Sequence, residues 1–148
     1  MKEWLFVGTL FLTLKNIKVY AQGDPMQKQA LADLISFLEE KSSRVLEIEK
    51  EADIALKQEG QLAFQAKLEE KAEILAALGE KAWKKTEAVG GTLGDEIARK
   101  LEQFSMSAST SLRIGSVFFM SALLYPEDHK PGEPNDLQSF IIDLKGRM

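Results

Sequence analysis

Cysteine is absent from the 148-residue chain and histidine occurs once. The first absence removes disulfides, thiolate metal sites and cysteine nucleophiles together. It leaves the redox compartment open, since a cysteine-free chain suits any of them. The second leaves one imidazole, His129, so a zinc site would have to be completed by carboxylates. Proline is scarce, and three of the four prolines fall within PEDHKPGEPND, residues 126–136, which leaves long stretches with nothing to interrupt a helix. An excess of positive charge is also missing: 19 Lys and Arg face 23 Asp and Glu, a formal net charge of -4. No global field draws nucleic acid to such a chain, and no nucleic-acid partner is expected.

What is present is an ordinary globular balance, 45% apolar and 28% charged. Residues 24–148 read as one helical domain. Asp24 and Pro25 carry an N-cap and first-turn signal, with Gln27 three residues after the cap. A first helix over about 25–59 then carries Leu31, Leu34, Leu38, Lys41, Val45, Ile48, Ala52 and Ala55 at alternating steps of three and four, a heptad seam holding one lysine. Gly60 ends it. A second helix over about 62–89 repeats the pattern with Phe64, Leu68, Lys71, Leu75, Leu78, Ala82 and Val89. LEEK recurs at Leu38 and Leu68, but two copies of a heptad phrase make no repeat array.

Gly90 and Gly91 close the second helix, and Thr92 with Asp95 reads as a capping box for a third, over about 93–125. Its stripe is Leu93, Ile97, Leu101, Phe104, Ala108, Leu112, Gly115 and Phe119. The stretch LRIGSVFFMSALLY, residues 112–125, is apolar nearly all round and is expected to be the centre of the core, with Phe118 and Phe119 inside it. The alternatives are a partner-binding helix and a membrane contact, but the charge-free run is shorter than the ~20 residues a bilayer span needs. Asn135 or Asp136 caps a short helix over about 136–145, with Leu137, Phe140, Ile141 and Leu144 on one face. Three long helices and a short fourth can bury these stripes only against one another, which predicts an all-α antiparallel bundle.

Chemistry-bearing patterns are few. His129 has Asp128 and Glu127 beside it in the loop after Tyr125, and these three residues are the candidates for a catalytic or metal-binding group. The plainer reading is a solvated loop, because such sites need groups converging from several elements. The Glu-x-x-His phrase of two-metal bundles does not occur, and no metal or cofactor is expected. The sequence GGTLG at Gly90 lacks the Gly-Lys-Ser/Thr ending of a phosphate loop, follows a helix and places Asp95 and Glu96 where an anion would sit. Lys81, Lys84 and Lys85 surround Trp83, an arrangement that can stack a base but equally suits a helix end.

Residues 1–23 form a separate segment with three readings. Lys2, the apolar block of residues 5–14 and Val19-Tyr20-Ala21 fit an export signal cut before Gln22. An accessory element of the fold and an upstream extension before Met26 are the others. Export follows if residues 1–21 are cleaved, and a cytoplasmic location otherwise. The functional expectation is a helical interaction or structural protein whose partner is another protein or a second copy, joined through the heptad seams. Lys41 and Lys71 on those seams are candidates for setting register. The alternatives are an enzyme or metal-dependent protein using the loop of Tyr125 and His129, and a membrane-peripheral protein.

Overall fold

The computed structural model describes residues 25–148, so the expectations for Asp24 and for the segment before it lie outside the described residues. The chain forms an all-α helical bundle, with no strand among the described residues. Its helices are α1 (Pro25–Gln58), α2 (Gln61–Ala76), α3 (Leu78–Val89), α4 (Gly91–Ile114), α5 (Val117–Ala122) and α6 (Asp136–Gly146). The longest, α1, packs along α2, α3 and α6; α4 lies along α2 and α3, and α5 sits against α2 and α4.

The apolar seams are consumed inside this one chain. Leu31, Leu34, Leu38, Val45, Ile48, Ala52 and Ala55 of α1 are all buried, as are Leu68, Leu75, Leu78, Ala82 and Val89 of the returning helices. The seam of α1 does not pass through Lys41. Ser42 takes the buried position, and Lys41 packs its ammonium over the Phe37 ring, 5.5 Å from the centroid. A lysine beside a seam can swing out along its own stem, whereas a serine is small enough to stay in. Gly60 joins α1 to α2 at φ +104°, ψ -170°, a region essentially reserved for glycine.

The second long helix is interrupted once, at Ala77, where α2 gives way to α3. The cause comes from α4. The Ser105 hydroxyl accepts from Gly79 N at 3.0 Å and donates to the Leu75 carbonyl at 3.0 Å. Those are the two groups that an unbroken α-helix joins directly, and a side chain inserted between them is a recognised source of a kink. Gly79 permits the approach, because a Cβ there would lie 3.4 Å from the Ser105 oxygen.

Two expectations for the third helix are corrected. It begins at Gly91, capped by Gly90, which makes no side-chain cap bond, so Thr92 lies inside the first turn and forms no capping box. It also ends early, at Ile114. Gly115 adopts the left-handed conformation (φ 71°, ψ 29°), its N–H bonds to the Leu112 and Ser111 carbonyls, and Ser116 N bonds to Ser111 O. This double closure is a Schellman motif. Ser116 then caps α5, accepting from Phe119 N at 3.1 Å. After this turn α5 packs against α2 and α4. Of its apolar side chains, Met120 is fully buried while Phe118 and Phe119 are 75% and 50% exposed, which overturns their placement at the centre of the core. Asn135 does cap α6 with a complete capping box to Gln138, and Leu137, Phe140, Ile141 and Leu144 are buried as their spacing predicts.

Candidate functional site

The chemistry of the described residues gathers at the corner where α5 and the following loop meet α1 and α2. Lys71 is the largest fully buried side chain in the bundle, 1% exposed. Its Nζ pairs with Glu49 Oε2 of α1 at 2.9 Å and donates to the Ser121 carbonyl of α5 at 3.2 Å. Tyr125 completes the group: its hydroxyl donates to the other Glu49 oxygen, Oε1, at 2.7 Å, and its ring lies 5.2 Å below the Lys71 ammonium. Three elements distant in sequence are thus tied by one carboxylate and one ammonium.

Burial pulls the Lys71 pKa below the ordinary lysine value, against the opposing attraction of Glu49. The Tyr125 phenol is pushed up to about 12, first by burial and then by donating to the Glu49 carboxylate; the neighbouring Asn135 amide acts in the opposite sense. The group is an ammonium–carboxylate pair with a phenol donor on the second carboxylate oxygen. Such an arrangement holds the three elements together.

A second feature of the corner is backbone strain. Leu124, buried at the end of α5, has φ +76°, the single non-glycine residue with positive φ among the described residues. Its carbonyl accepts Asp136 N at 2.9 Å, which joins the corner to the start of α6. A buried branched side chain in this region costs on the order of 1–3 kcal/mol and persists only where its surroundings impose it.

The pinned corner presents an apolar ledge. Met106 and Ile114 of α4 are 63% and 58% exposed, and Met106 lines one groove with Phe119. The two phenylalanine rings meet edge to face at 5.7 Å. A groove of about 550 Å³ beside Phe119 is lined by Met106, Thr110, Ser111, Leu123, Tyr125 and Asp136.

His129, Asp128 and Glu127 lie in the loop after Tyr125. His129 Nε2 donates to the Glu133 carbonyl at 2.9 Å, and its ring packs edge to face on Tyr125 at 4.9 Å. These contacts fold the loop over Tyr125 and use the imidazole locally. Asp128 and Glu127 are exposed and make no ion pair among the described residues. No group of three or more His, Asp or Glu side chains is placed to hold a metal ion among the described residues. Among the same residues no helix is long and apolar enough to cross a membrane.

Trp83 stands half exposed over a separate groove of about 490 Å³ between α3 and α4, with Gly79, Ala98 and Arg99 among its lining. Lys85 lies over the Phe37 ring at 6.0 Å, Lys81 lines a groove with Phe37 and Lys41, and Lys84 lines another with Met26 and Asp33.

Reading the sequence for chemistry missed Glu49 and placed Tyr125 only at the start of the His129 loop. The available signal was Lys71 itself: a lysine in a seam position needs a buried acid, and Glu49 adjoins seam residue Ile48. The chain matches no family model, no curated protein and no solved structure.

Proposed function

We propose that this chain is a helical interaction protein whose contact surface is the ledge at the α4–α5 corner. One observation carries the reading: α5 is fixed to the bundle by Met120, the Lys71–Ser121 bond and the Tyr125–Glu49 bond, yet it holds Phe118 and Phe119 in water. A helix free to choose would turn those rings inward, because burying one phenylalanine gains roughly 1.5–3 kcal/mol. Spending a buried ion pair and a strained leucine to keep them outside makes sense when something else covers them. Fixed aromatic anchors beside a groove are the usual energetic centre of a protein–protein contact. Association has to use such a surface, because the heptad seams are filled from within.

The test is site-specific photo-crosslinking in the full chain in its native host. A photoreactive phenylalanine analogue at Phe118 should give a discrete protein adduct, and the same analogue at exposed Leu62, on the far end of α2, should not. Equal or absent adducts at both positions would refute the assignment.

A further inference from the structure

Lys41 of α1 and Lys81 and Lys85 of α3 are far apart in sequence, and the bundle brings them to one aromatic ring. Lys41 Nζ lies 5.5 Å from the Phe37 centroid and Lys85 Nζ 6.0 Å from the same centroid. Lys81, one turn before Lys85 on the same face of α3, lines a groove of about 280 Å³ with Phe37 and Lys41. None of these three ammoniums forms an ion pair among the described residues, whereas Lys67, Lys71 and Lys145 each lie within 2.9 Å of a carboxylate. Two acids line the same groove. Glu70 is already held by Arg44 at 3.5 Å and by Lys67 at 3.3 Å, and Glu73 is exposed and pairs with none of the three lysines. We infer that this groove is a binding site for a compact, multiply charged phosphate anion, held by Lys41, Lys81 and Lys85 beside Phe37.

The physical reason is the convergence itself. Each ammonium is attracted to the ring, but two of them on one ring stand within about 12 Å of each other and repel. Phe37 packs against the core, so the point on which they converge is fixed. An anion seated among the three lysines removes the repulsion and gains charge-assisted hydrogen bonds from two helices at once. The groove has room for a phosphate group or a short chain of them, and not for a helix. Lysine meets phosphate as a point charge, so three flexible ammoniums suit an anion with several charges close together. The site shares no residue with the groove at the α4–α5 corner, so it stands independently of the contact ledge.

The experiment is calorimetric titration of the full chain with sodium triphosphate at low ionic strength. The wild type should bind one triphosphate per chain, and raising the salt about tenfold should weaken binding at least about fivefold. Lys41→Gln, Lys81→Gln and Lys85→Gln should each weaken it about threefold and the triple variant about thirtyfold. All four should melt no lower than the wild type, because each substitution relieves repulsion. Lys57→Gln, in the last turn of α1, should bind as the wild type does. No saturable binding below ~10 mM overturns the inference, as does a loss in Lys57→Gln equal to that in the groove variants. A glutamate hexapeptide that displaces triphosphate at equal concentration overturns the phosphate assignment. Competition with vesicles of phosphatidylglycerol and phosphatidylcholine separates the two carriers of this chemistry: displacement of triphosphate assigns the site to a lipid headgroup, and no displacement assigns it to a soluble phosphate compound.

Discussion

Replacing Lys71 by Met tests whether the buried pair holds the α5 corner. Met keeps most of the aliphatic volume and removes the ammonium, so the change isolates charge from packing. Glu49 then loses the partner at 2.9 Å and keeps only the Tyr125 hydroxyl, and the Ser121 carbonyl loses its donor. Removing one member of a buried pair ordinarily costs 3–5 kcal/mol, but Glu49 retains 21% side-chain exposure and can recover water. The expected loss for Lys71→Met is therefore about 2–4 kcal/mol, a large fraction of the 5–15 kcal/mol available to a domain. Glu49→Gln should also destabilise, because it leaves the Lys71 ammonium, 1% exposed, facing a neutral amide oxygen. In the double variant the uncompensated carboxylate is gone, so Glu49→Gln should restore at least ~1 kcal/mol to Lys71→Met. Urea unfolding followed by circular dichroism at the helical band measures all four corners of the cycle. Additive single losses, each below about 0.5 kcal/mol, would refute the claim that this pair fastens the corner.

Other residues separate the surface from the core and the phenol from the ammonium. Phe118→Asp should leave monomer stability within about 0.5 kcal/mol, whereas Met120→Ala, two residues on, should cost about 2–5 kcal/mol in the same urea assay. The raised Tyr125 pKa means that the folded state keeps the phenolic proton longer than the unfolded chain. Its contribution is fully present below pH 10 and is lost as pH rises toward about 12. Relative to Tyr125→Phe, the wild type should lose about 2 kcal/mol over that window. The lowered Lys71 pKa acts with the opposite sign, favouring the folded state as pH rises toward the ordinary lysine value, and it is common to both proteins. Ser105→Ala should let Gly79 N and Leu75 O bond directly, so the stability loss stays below ~1 kcal/mol and amide exchange at Gly79 slows. A loss above about 2 kcal/mol would mean that the two groups stay apart and unsatisfied.

The parts of this fold that were legible in the sequence are those decided within one helix or one turn. The seam of α1 from Leu31 to Ala55, the glycine stops at Gly60 and Gly90, the Asn135 cap and the buried face of α6 all follow from spacing and local backbone preference. What escaped depends on a second element. Ser105 breaks the helix opposite, and near Ala77 only Gly79 hints at the approach. Lys41 and Ser42 compete for one seam position, and the neighbouring Phe37 ring, by taking the ammonium, settles it for the serine. Gly115 was visible, but it reads as one more position of the apolar stripe until its positive φ shows a stop. That one turn moves Phe118 and Phe119 from the expected core to the ledge, so the candidate site lies where local pattern and final fold disagree.

The central claim is that the α5 corner is a fixed surface built to be covered. Amide hydrogen exchange of residues 116–125 in the full chain at dilution tests it most directly. We predict protection comparable to α2, from the Lys71 and Tyr125 bonds. Exchange at dilution as fast as in the loop of residues 127–133 would contradict it, because a corner that opens freely cannot hold its aromatic pair for a partner.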